Sequence, residues 1–295
     1  MGALVEINTD GLAKLAETIS FALGGTARGE RKMADAKAYA AELEAKTKNK
    51  VALIEAQGQD ALANYVAAKE ARKMRNTVAV IEKAQAHFTE GEKVSDEPVD
   101  EGWKNRFFGI VEEISDEELR EIWGRVLAGE VKKPNSYSLR TLETLRNLTK
   151  EEAAVIVKAA SYAISDECVY KKSPLTLSEK LLLQEIGLML DDGIGIKYSW
   201  DVKSKSTLTI ILDDKFLFKL HNDSENLIKC DTEVYKLSTA GKEIFRLVSI
   251  DEEERNTFYK SLANHFHTKG IIRVVKHTII SKNPQVRYLI AGEEM

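Results

Sequence analysis

Leu208-Thr-Ile-Ile-Leu-Asp-Asp-Lys-Phe-Leu-Phe-Lys-Leu220 is the stretch that decides the fold class of this chain. Two short apolar runs, 208–212 and 216–220, flank the polar turn Asp213-Asp214-Lys215, which is the pattern of a β-hairpin. Around it the same grammar continues. A strand-like run covers 196–200, and a helix over 176–190 leads into it and ends at Asp191-Asp192-Gly193. Tyr235 opens a strand that passes into a helix capped by Ser238 or Thr239. A further helix is expected over 258–266. A closing hairpin is expected from 271–280 and 286–290, around Asn283-Pro284. Strands and helices in separate runs make the end of the chain an α+β domain. A helix, then strands, then Tyr235-Lys-Leu-Ser-Thr-Ala-Gly-Lys242 is also the local order of many winged helices.

Upstream the periodicity is helical. Leu12, Leu15, Ile19 and Leu23 form one narrow apolar stripe, broken by Gly24-Gly25. From Glu30 towards Glu90 the chain is rich in Ala, Glu and Lys, which favour helix. Leu43, Val51, Ile54, Leu62, Tyr65 and Val66 fall too loosely for a regular coiled-coil seam, so a helical hairpin or a homo-oligomeric bundle is expected. Residues 91–102 are polar and acidic and contain Pro98, which reads as a linker. Beyond it Trp103, Phe107, Phe108 and Val111 mark a short helix, and Ser115 with Glu118 reads as a capping box. Leu119, Ile122, Trp123, Val126 and Leu127 form a core face. Leu139, Leu142 and Leu145 form another, and Thr149 with Glu152 opens a helix to about Ala163.

The expected architecture is therefore mainly α with a C-terminal α+β part: long N-terminal helices, a compact helical middle domain and a winged-helix-like C-terminal domain. Its boundaries are a helical oligomerisation region over 1–90, a linker over 91–102, a helical domain over 103–172 and the winged-helix-like domain with its basic end over 173–295. A chain lacking residues 1–90 should then remain folded.

Hydrophobic and charged fractions of 43% and 31% describe a folded protein. No window is apolar for long enough to span a membrane, and a cytoplasmic location is expected. The two cysteines, Cys168 and Cys230, match no metal or redox spacing. The net charge of −4 is unevenly spread. Acidic residues dominate from Glu90 to Arg120. From Arg255 to Gly292 there is no Asp or Glu, and Lys260, Lys269, Arg273, Lys276, Lys282 and Arg287 are expected to meet nucleic acid or another anionic partner. The alternative is that this basic end docks on the acidic stretch of the same protein.

No residue set commits the chain to catalysis, and no cofactor or metal is expected. His265 and His267 are two apart on a helix, so they point to different sides. Glu112, Glu113, Glu117, Glu118 and Glu121 read as a wet helix face rather than paired catalytic acids. Gly24-Gly-Thr-Ala-Arg-Gly29 lacks the Gly-Lys-Ser/Thr ending of a phosphate loop. Glu130 and Arg140 bracket Pro134 at a spacing that suits an ion pair bracing the loop.

The run Ile122-Trp-Gly-Arg-Val-Leu-Ala-Gly-Glu130, then Pro134, then Ser138-Leu-Arg-Thr-Leu142 and Leu145-Arg-Asn-Leu-Thr149, resembles an uncharacterised bacterial family, a domain of unknown function. Arg75-Asn76, Pro98-Val-Asp100, Trp103, Phe107-Phe108 and Leu237-Ser-Thr-Ala-Gly241 extend the resemblance. Trp103, Trp123, Glu130, Pro134, Ser138 and Arg140 carry its structural signature. Gly124 and Asn135 stand where that family would have Ala and Gly. The order of parts is also similar to the alpha class of abortive-infection proteins. The resemblance implies a non-enzymatic accessory or phage-defence protein acting by oligomerisation and partner binding. The residues alone allow the alternative of a winged-helix-type nucleic-acid-binding or regulatory protein.

Overall fold

The computed structural model describes residues 9–22, 45, 61–89, 92–190, 195–213, 215–279 and 292–295. Among these residues there are nine helices and two small antiparallel sheets, both sheets lying in the C-terminal half. The chain divides into two compact units, Met1–Arg146 and Asn147–Met295.

The first unit is helical. Its described helices are α1 (Thr9–Ala22), α2 (Ala61–Gln85), α3 (Glu101–Val111), α4 (Glu117–Lys132) and α5 (Leu139–Asn147), whose last residue lies just past the division. α1 buries Leu15 and Ile19, and α2 buries Val80, Ile81 and Ala84. α2 lies against α4, and the approach is close because Gly124 has no side chain. A Cβ there would sit 2.5 Å from the Lys83 Cβ and 2.9 Å from the Ala84 nitrogen. Trp103 stacks on Phe107 at 4.9 Å, and Phe107 meets Trp123 edge-on at 5.7 Å, so α3 and α4 share an aromatic core.

Polar contacts fix the same helices. Buried Asn76 on α2 donates to the Glu112 carbonyl at 2.9 Å and accepts from Arg120 at 2.8 Å. Lys83 pairs with Glu117 at 2.7 Å, His87 meets Glu121 at 3.0 Å, and Lys73 pairs with Glu112. The acidic stretch thus faces Lys73 and Lys83 of α2 and His87 just past its end. Residues 92–102 lie within the first unit. The Ser95 amide donates to the Lys132 carbonyl at 2.9 Å, Val99 is buried, and Lys14 reaches the Ser95 and Glu97 carbonyls. The unit boundary falls after Arg146 instead. Of the expected oligomer seam, Tyr65 and Val66 are exposed at 66% and 50%. Leu43, Val51 and Ile54, and the side chain of Leu62, lie outside the described residues.

The signature residues build one loop. Glu130, 1% exposed, accepts the Asn135 amide at 2.7 Å and the Tyr137 amide at 2.9 Å. Trp103 donates its indole N–H to the Tyr137 carbonyl at 2.8 Å. Pro134 is buried, Asn135 adopts φ 67°, and Ser138 accepts the Thr141 amide at 3.3 Å. Arg140 is exposed and does not form the expected pair with Glu130, because the nearer backbone amides take the carboxylate. Two further expectations change. Asp116, not Ser115, caps α4, accepting the Glu118 and Leu119 amides at 2.9 and 3.1 Å. Leu119 and Leu139 are exposed rather than inward, at 38% and 48%.

The second unit opens with α6 (Lys150–Ala160), whose Thr149–Glu152 capping box is present. Then come β1 (Ala163–Ile164), β2 (Cys168–Tyr170) and α7 (Leu177–Glu185), followed by β3 (Ile196–Val202), β4 (Ser206–Ile211), β5 (Phe216–Asn222) and β6 (Ile228–Lys236). α8 (Thr239–Phe245), α9 (Glu252–Thr268), β7 (Arg273–Thr278) and β8 (Glu293–Glu294) complete it. One sheet has the order β1-β2-β6-β3 and the other β4-β5-β7-β8. β4 and β5 form the hairpin that the opening stretch dictates. The helix expected over 176–190 stops at Glu185, because Gly187 turns the chain at φ 76° and Met189 bridges to Leu237. α9 ties the two sheets together. Its Phe258 meets Tyr170 of β2 at 5.7 Å and its Phe266 meets Trp200 of β3 at 5.2 Å, while Tyr259 meets Phe216 of β5 at 5.6 Å.

Candidate anion-binding face

Strand parity decides which basic residues can act together. Side chains on a strand alternate between faces, and residues directly opposite on neighbouring strands share one. His221 of β5 stands opposite Thr207 of β4 and Arg273 of β7, and Lys219 stands opposite Thr209 and Val275. These residues line the outer face. Phe218, Leu220 and Val274 point the other way and are buried. The Thr207 hydroxyl lies 2.9 Å from His221 Nδ1, and an Arg273 Nη lies 3.4 Å from the same nitrogen. Thr207, Thr209 and Arg273 are exposed, and Lys219 and His221 are half-buried. Beyond Lys219 the face turns apolar at Ile211 and Leu217, with His277 opposite Leu217 and Glu294 opposite Val275.

Burial lowers the His221 pKa from its ordinary value. Arg273, Lys219 and His277 push it the same way, and Asp223 opposes them. Burial is the largest cause, and the neighbouring cations add to it by disfavouring one more positive charge.

The described residues of the expected basic surface do not all fall on one face. Arg273 lies on the outer face. Lys276, three residues on, falls on the inner face, 5.1 Å over the Phe216 ring and 5.5 Å over Tyr259, donating to Asn256 at 3.2 Å. Lys260 is exposed on α9. Lys269 is engaged by Asp231, which Lys197 also holds at 3.2 Å, and the two lysines keep Asp231 down at about 2. Lys282 and Arg287 lie outside the described residues. Lys219 and His221 were missed because they precede the basic stretch. Their signal is the alternation Phe218-Lys-Leu-His221, which puts both on the face opposite the core.

Other tempting groups are occupied. His265 meets the Asp231 carbonyl at 2.8 Å, and His267 meets the Ile271 carbonyl at 2.8 Å. Burial pushes the thiol of Cys168 up to about 12 and that of Cys230 up to about 11. The described residues contain no group of three His, Cys, Asp or Glu side chains able to hold a metal ion.

Residues 62–172 match the family described as a protein of unknown function, DUF2806. The DUF2806 segment contains the Trp103, Trp123, Glu130 and Ser138 framework and runs to the end of β2, so the candidate face lies beyond it. No curated protein and no solved structure matches the chain. Among the described residues no helix is long and apolar enough to cross a membrane.

Proposed function

We propose that this chain is a non-enzymatic accessory protein that acts by binding, and that the outer face of β4, β5 and β7 receives nucleic acid. The observation that carries this reading is the convergence of Lys219, His221 and Arg273 by register on one accessible sheet face. Cations on a strand surface contact phosphates without reading sequence, so binding weakens steeply as salt rises. The finer form of the proposal is a winged-helix-type module over 173–295, since α7, the strands and the Ser238-capped α8 keep that chain order.

A mobility-shift titration across salt concentrations tests the reading. The protein should retard a short oligonucleotide at low salt, with the double change Lys219→Glu and Arg273→Glu abolishing the shift at unchanged melting temperature. Lys219→Gln alone should reduce the slope of log affinity against log salt by roughly 0.7 to 0.9. Binding that survives the double reversal would overturn it.

The phage-defence setting rests on the family resemblance and on an order of parts similar to the alpha class of abortive-infection proteins. Self-association through the N-terminal helices is proposed on the exposed Tyr65 and Val66 of α2. Light scattering at micromolar concentration should then give more than the monomer mass, and Tyr65→Glu with Val66→Glu should restore the monomer. A monomeric full-length chain ends that proposal.

A further inference from the structure

His221 Nδ1 has two neighbours, the Thr207 hydroxyl at 2.9 Å and an Arg273 Nη at 3.4 Å. A guanidinium can only donate, so a hydrogen bond from Arg273 to Nδ1 requires a neutral ring with its proton on Nε2. We propose that Thr207, Lys219, His221 and Arg273 form a single phosphate subsite that takes up one proton at His221 when a phosphate group arrives.

The proposal deepens the nucleic-acid reading of the same face and rests on it. A tetrahedral oxyanion placed among these side chains accepts from Arg273 and Lys219, drawing the guanidinium away from Nδ1. Nδ1 is then open to a proton from solvent, and the Thr207 hydroxyl, which can donate or accept, turns its lone pair towards the new N–H. The bound anion also offsets the cationic field that, after burial, disfavours the charged ring. The groups acting on His221 are Arg273 and His277 from β7, Lys219 from β5, and Asp223 just past the end of β5. Only Asp223 favours the imidazolium in the empty site. A bound phosphate adds a second anion to Asp223, close enough to outweigh the burial cost, and the ring becomes a further cationic donor.

The sign follows. Neutral His221 is the favoured form of the free protein, and the imidazolium is favoured in the complex. Binding therefore strengthens as pH falls through the imidazole range, by up to about tenfold per pH unit for one linked proton.

Sulfate is the first probe, because its charge does not change over that range and any proton taken up belongs to the protein. Calorimetry of the full chain in buffers of different ionisation enthalpy counts protons, and long-range nitrogen–proton NMR of the imidazole reports the His221 tautomer. The expected results are an Nε2–H ring in the free protein, uptake approaching one proton with sulfate, and no uptake in His221→Gln. A phosphomonoester and a short oligonucleotide form the second and third arms. Oligonucleotide binding without proton uptake, or uptake that persists in His221→Gln, overturns the subsite while leaving the nucleic-acid reading intact. Uptake with sulfate and the monoester but no oligonucleotide binding overturns that reading and keeps the subsite for small phosphate ligands.

Discussion

Replacing Arg255 by methionine should destabilise the second unit by about 3–5 kcal/mol, the range for removing one partner of a buried charge pair. Arg255 is 6% exposed and its guanidinium is fully used. Nη1 donates to the Ser161 carbonyl at 3.0 Å and the Ala163 carbonyl at 2.7 Å, and Nη2 donates to Asp213 at 2.9 Å. Nε donates to the Tyr259 hydroxyl at 2.9 Å. Asp213 in turn accepts the Lys215 and Phe216 amides, each at 2.8 Å, and the Tyr259 hydroxyl. One side chain therefore joins the end of α6, the β4–β5 turn and α9. Methionine keeps much of the volume but leaves a carboxylate and several carbonyls without their donor, and that desolvation is what costs stability. Urea unfolding, with hydrogen exchange at the β4 and β5 amides, measures it. A loss under about 1 kcal/mol would show that solvent can replace the guanidinium there.

Arg255 also shows why charge counting reads a sequence poorly. It opens the stretch without acids, yet it is interior. Arg273 and Lys276 are three residues apart in sequence and fall on opposite faces of β7, because three is an odd step on a strand. What was legible is what local pattern dictates: the 208–220 hairpin, the Thr149 cap, the Ser238 cap and the Trp123 core. β6 was expected only near Tyr235, although Ile228, Cys230, Thr232 and Val234 alternate inward along it. Cysteine and threonine carry too little apolar signal to make that alternation visible. The 91–102 strap looked like a linker for a related reason. Its backbone contacts leave no mark on composition, and Val94 and Val99 are the only valines there, Val99 buried and Val94 half-buried.

The position of the strap leads to the second large effect. Removal of residues 1–90 should unfold what remains of the first unit, against the expectation that the sequence suggests. α1 and α2 contribute Leu15, Ile19, Val80, Ile81 and Ala84 to the core, each almost fully buried. Burying a large aliphatic side chain contributes roughly 1.5–3 kcal/mol, so losing four of them with the Ala84 contact approaches or exceeds the whole stability of about 5–15 kcal/mol for a domain. The truncation also removes Asn76, which satisfies the Glu112 carbonyl and the Arg120 guanidinium, and exposes the Gly124 face of α4. Trp103 and Trp123, now 4% and 1% exposed, should shift to solvent-like emission, and the cooperative melt of that unit should vanish. Gly124→Leu in the full chain is the single-residue counterpart. Its side chain meets the α2 backbone at Lys83 and Ala84, which cannot give way as a flexible side chain would, so it should separate α2 from α4 without deleting either. A truncated protein that keeps buried tryptophan emission and a sharp transition would mean that α3, α4 and α5 hold a core on their own, and that α1 and α2 are additions to it.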